Sequence, residues 1–169
     1  MALARSRSSK PASFTDDGVG EMKERVRPLS ANIELEYTIL CDDVRLEAGN
    51  KLTLVGVFYG VFVPQLPVTI IKFAVLNHWR GEGQYLTEVR ILSPDRAQVI
   101  VASRPSSFQV HANGYADNVT IFANVTFPVE GNYVVQTLVD SHLFAERLLP
   151  VGIIDQSVRS AETSSQRIH

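Results

Sequence analysis

The sequence predicts an all-β fold: an immunoglobulin-like antiparallel β-sandwich of about seven to nine strands, with flexible N- and C-terminal tails. Three observations carry this expectation. Apolar residues recur at every second position through the middle of the chain, the pattern of strands buried on one face. Short segments rich in Gly, Pro, Asn and Asp separate these runs, without an intervening apolar stripe of helical period, so the connections are those of hairpins. Gly131-Asn132-Tyr133 opens the last pair of runs with a tyrosine just after a flexible corner, where its hydroxyl can pin the turn.

Residues 1–31 are rich in Ser, Pro, Gly and charge and read as a flexible arm. Glu21 to Val26 offers it too few helical turns to be stable alone. Residues 32–154 form the sandwich domain, and the polar residues 155–169 a flexible tail. In the domain, Ile33, Leu35, Tyr37, Ile39 and Cys41 alternate with polar residues as a half-buried strand. Gly49-Asn50 turns into a strand over Lys51 to Tyr59, where Gly56 marks a bulge or a close backbone approach. Pro64 and Pro67 interrupt any ladder, each lacking an amide donor.

Thr69 to Trp79 is the third strand, with Ile71, Phe73 and Val75 on one face. Gly81-Glu82-Gly83 is read as a turn into Tyr85 to Ser93, and Pro94-Asp95 as a turn into Ala97 to Ser103. Val119, Ile121, Ala123, Val125 and Phe127 give the cleanest alternation and one apolar face. The closing hairpin runs from Tyr133 to Val151 about Asp140-Ser141. A closed barrel or jelly roll is the competing arrangement, because pattern alone does not say which strands share a sheet.

Composition bounds the function. With 169 residues, 45% hydrophobic, 20% charged and a net charge of −2, the chain is an ordinary globular one, with no expectation of nucleic acid or membrane as a partner. Cys41 is the single cysteine, so no internal disulfide forms and a cytoplasmic location is expected. The longest apolar stretch, Leu52 to Val63, is broken by Thr53, Gly56 and Gly60, too soon to span a bilayer. Arg5, Arg7 and Lys10 are not followed by an apolar segment, so no secretory leader is expected. The sequons at Asn118 and Asn124 then read as chance matches.

Candidate chemistry is sparse. Asp42 and Asp43, with Asp140, are weak candidates for a hard cation, but neighbours on a strand point to opposite faces. A structural role, with Arg45 pairing a carboxylate, is favoured, and no metal or cofactor is expected. Cys41 continues an apolar face and reads as a core thiol. The histidines lack ligand spacing, and Asp140-Ser141-His142 is a turn rather than a triad, whose members must converge from separate segments. The aromatics Phe58, Tyr59 and Phe62 around Gly60, with Trp79 and Arg80 at a strand end, are the expected interaction surface.

Tyr37-Thr38-Ile39-Leu40-Cys41-Asp42-Asp43-Val44-Arg45, followed by Gly56-Val57-Phe58 and Val63-Pro64-Gln65-Leu66-Pro67, resembles a family of small uncharacterised bacterial proteins with an immunoglobulin-like sandwich, a domain of unknown function. The resemblance runs from about Leu35 through Val151. It implies the fold and a bacterial origin, and brings no activity with it. The expected function is therefore non-catalytic: protein interaction or scaffolding, with a protein partner or self-association through an edge strand or end loops. The alternatives are a small-ligand or carbohydrate-binding module using the end-loop aromatics, and a structural subunit of a capsid or other assembly.

Overall fold

The computed structural model describes residues 32–154; the arm 1–31 and the tail 155–169 lie outside the described residues. Eight strands follow in order: β1 (Ile33–Glu47), β2 (Lys51–Phe58), β3 (Val61–Val63), β4 (Val68–Leu92), β5 (Val99–Ala102), β6 (Ser106–Phe127), β7 (Gly131–Val139) and β8 (His142–Ile153). They build the expected immunoglobulin-like sandwich. One layer runs β2-β1-β4-β6, and the other places β7, β8 and β3 beside the second half of β4. All pairings are antiparallel except β3 with β8, where Val61–Val63 lies parallel to Val151–Ile153.

The layers are joined by continuous strands. Gly81-Glu82-Gly83 is not a hairpin turn, as expected from the sequence, but a bend inside the 25-residue β4. Gly81 and Gly83 take φ of 140° and 125°, and the register against β6 shifts there. The first half of β4 pairs with β1 and the second with β7, while β6 follows it on both sides of the bend. Strands that switch layers at a bend are a standard way to turn the corner of a sandwich.

Two hydrophobic clusters fill the interior. Phe73, Val75, Phe122, Phe127, Tyr133 and Leu149 belong to one, and Trp79, Ile33, Tyr85, Phe108 and Val110 to the other. Between them lies a polar layer on the inward faces. Thr38 Oγ1 donates to Asn77 Oδ1 at 2.7 Å, Asn77 Nδ2 donates to Thr137 Oγ1 at 3.4 Å, and Asn118 Nδ2 donates to Ser106 Oγ at 3.3 Å. The Asn77 amide is partnered on both its oxygen and its nitrogen, whereas Asn118 is partnered through Nδ2 and its buried Oδ1 has no hydrogen-bond partner among the described residues.

Local irregularities overturn three facial assignments. Glu36 is an extra residue in β1, since Leu35 pairs with Trp79 and Tyr37 with His78. Past it Leu40 faces the core and Tyr37 is exposed. Asn124 takes a left-handed φ of 54° and reverses the alternation of β6, so Thr120 and Phe122 are inward while Ile121 is exposed. Ile71, opposite that kink, is exposed rather than facing inward with Phe73 and Val75.

The last hairpin forms as the sequence predicts. Asp140 and Ser141 both have positive φ, 48° and 68°, the mirror-image turn that matches strand twist. Gly131 takes φ 143°, and the Tyr133 hydroxyl donates to the Val129 carbonyl at 2.9 Å while accepting from the Val129 amide at 3.4 Å. Tyr133→Phe is expected to lower stability by only about 1 kcal/mol in urea titration, because the freed groups of exposed Val129 can turn to water.

Candidate interaction surfaces

The end loop between β2 and β3 carries the first candidate surface. Tyr59 is 76% exposed, with the Arg147 guanidinium 5.7 Å from its ring centroid. Phe62 is also exposed and leans over Gly60, where an added Cβ would meet its ring at 2.7 Å and the Pro150 carbonyl at 2.9 Å. Phe58 turns inward and meets Phe73 edge-on, with centroids 6.2 Å apart. Beneath them is a cavity of about 380 Å³, walled by Phe58, Phe62, Val63, Ile70, Phe73 and Leu149 among others.

Trp79 and Arg80 separate. Trp79 is 0% exposed and stacks on Phe108 at 5.2 Å, so it belongs to the core and not to the expected surface. The reason is alternation: Phe73, Val75 and Trp79 share the inward face of β4. Arg80 points outward and forms ion pairs with Glu34 and with Glu36, the latter at 2.7 Å.

Beside Arg80 lies a group that the sequence did not single out. Tyr37 stacks on His78 at 4.6 Å, and His78 on Tyr115 at 5.3 Å, with the rings within 12° of parallel. His78 Nδ1 is 2.7 Å from Asp117 Oδ1. The three rings come from β1, β4 and β6, and only the sheet register brings them together. The outward face continues through Ile39, Val57 and Ile121, with small Cys41 and Ala74 between.

The acidic candidates do not converge. Lys72 Nζ donates to Asp43 Oδ1 at 2.6 Å, and Arg45 stands 3.7 Å from its other oxygen. The hydrogen bond from Lys72 holds the Asp43 carboxyl below its ordinary range. Asp42 lies over Gly56 at the end-loop cavity. Asp140 accepts from the Leu86 amide at 2.9 Å and so ties the closing turn to β4, while His142 Nδ1 donates to the Asp140 carbonyl at 2.8 Å. Among the described residues no group of three acidic, His or Cys side chains could hold a metal ion. Cys41 is buried, and burial first, then the Asp42 charge, pushes its thiol pKa up.

The far edge of β6 is the second candidate surface. Among the described residues β6 hydrogen-bonds to β4 alone, so its other side presents unpaired backbone along much of 22 residues. It contains no Lys, Arg or Pro, and its exposed apolar side chains include Tyr115 at 62% and Ile121 at 58%.

Residues 36–152 match the model of a family described as a family of unknown function, DUF6941. The chain belongs to this family. No curated protein matches it in sequence. Among solved structures, it is similar to an alkylpurine DNA glycosylase, AlkC, of Pseudomonas fluorescens bound to DNA containing an abasic site analog. The TM-score is 0.46 at 7% identity, over 72% of this chain and 31% of that one. A β-glucosidase of Listeria innocua in complex with glucose gives 0.42 at 8%, over 72% and 16%. The chain thus spans about a third and a sixth of those two proteins. An immunoglobulin-like protein of Pseudomonas aeruginosa gives 0.34 at 16%, over 73% and 98%. Among the described residues, no helix is long and apolar enough to cross a membrane.

Proposed function

We propose that this family member is a non-catalytic interaction domain that associates with a second copy of itself by strand addition along β6. The observation that carries this reading is the unprotected edge. Exposed edges are ordinarily blunted by Lys, Pro, bulges or brevity, because free backbone groups recruit other strands. Here 22 residues pass without Lys, Arg or Pro. The kinks at Asn113 and Asn124 leave the stretch between them regular, with Tyr115 and Ile121 outward. A two-fold axis would pair this stretch antiparallel with its own copy, making a closed contact that needs no second kind of surface. Cys41 as a buried thiol supports a reducing compartment such as the cytoplasm.

Sedimentation velocity at rising concentration tests the proposal. The chain is expected to form dimers, and the pair Tyr115→Lys and Ile121→Lys to abolish them while leaving the chain folded, with the circular dichroism spectrum of the parent. A chain that stays monomeric throughout, or dimers that survive both lysines, would count against it.

A further inference from the structure

The cavity under the end loop has a more particular character than its aromatic rim. Its walls are apolar side chains and glycine, with one charged group, Asp42, at the mouth. At about 380 Å³ it falls within the ~300–1,000 Å³ of small-molecule sites. The glycines make it. Gly56 takes φ 64°, and a Cβ there would meet Asp42 Oδ2 at 2.0 Å, so only glycine lets that carboxylate lie over the strand. Gly60 does the same for the Phe62 ring. Asp43 is taken up by Lys72 and Arg45, and Glu146 by Arg96 and Gln136, whereas Asp42 has no cationic partner among the described residues.

We infer that this cavity binds a small amphipathic cation, an apolar body lying against Phe62 and Phe73 with an ammonium group at Asp42. Apolar walls supply the affinity, through area removed from water. The carboxylate supplies the choice of charge: it attracts a cation, repels an anion and gives a neutral analogue nothing in return. Arg147 is engaged with the Tyr59 ring and with the Thr38 carbonyl, so the nearby positive charge is already held elsewhere.

The test is a nuclear magnetic resonance titration of the full chain with phenethylamine, phenethyl alcohol and phenylacetate. Phenethylamine is expected to shift the amide signals of Phe62, Val63 and Leu149, and to bind about three- to fivefold more tightly than the alcohol, the advantage of a part-exposed ion pair. Phenylacetate is expected to bind most weakly. Asp42→Asn, a change at an exposed residue, should equalise amine and alcohol while both still bind. Val63→Trp, filling the cavity, should weaken both. Shifts confined to other parts of the surface, or an amine preference that survives Asp42→Asn, would overturn the inference. So would contacts between residues 155–169 and Phe62 in the free chain, which would give the cavity to the chain's own end.

Discussion

Replacing Trp79 by alanine is expected to lower the unfolding free energy by about 4 kcal/mol, within the ~3–5 kcal/mol range for removing a buried aromatic. The indole lies at the centre of the second cluster, stacked on Phe108 and edge-on to Phe144 at 5.3 Å. Its removal leaves a void that Ile33, Val110 and Val139 cannot close, being held by three separate strands. Trp79→Phe should cost much less, under about 2 kcal/mol, because it keeps most of the stacking. It also removes a buried Nε1–H that has no hydrogen-bond partner. Urea titrations of both variants decide the matter. If Trp79 served at a surface, alanine there would leave the transition midpoint in place.

Trp79 also shows what the sequence made legible and where it misled. The alternation of Phe73 and Val75 carries forward to Trp79 and places it inward. Its nearness to Gly81 pointed the other way, because a glycine pair two residues on reads as the end of a strand. A strand-length bend and a hairpin turn use the same residue types, and only the partners on either side distinguish them. Asn124 is a similar case. Its left-handed φ reverses the facing of β6, and the alternation from Val119 to Phe127 masks this; the signals present were Phe122, the one apolar residue out of that alternation, and the tolerance of Asn for left-handed φ. Conversely, Asp140-Ser141 was legible as a turn because its conformation is set by its own two residues. The opposition of Asp42 and Asp43 was legible from period two alone. The stack of Tyr37, His78 and Tyr115 was not, because its members are far apart in sequence and meet through register.

Gly81→Ala is expected to destabilise the domain by about 3 kcal/mol, from backbone strain and overpacking together. Two costs act at this position. Its φ of 140° lies where side-chain-bearing residues are strained. An added Cβ would stand 2.0 Å from the Asn32 carbonyl oxygen and 2.9 Å from Ile33 Cα, both backbone atoms that no rotamer change can move. Relief requires the start of β1 to lift from β4, which gives up the pairing of Ile33 with Gly81 and the bond from the Glu82 amide to the Asn32 carbonyl at 3.0 Å. Gly49→Ala is the control: it too has positive φ, 79°, but an added Cβ there meets nothing within 4 Å. That variant should lose only about 1 kcal/mol, the strain alone. Hydrogen exchange should locate the difference, with faster exchange along β1 and the first half of β4 in Gly81→Ala and near-native protection there in Gly49→Ala. Equal losses from the two substitutions would mean that the bend tolerates a side chain, and that β4 is not held to β1 as closely as the Gly81–Asn32 contact requires.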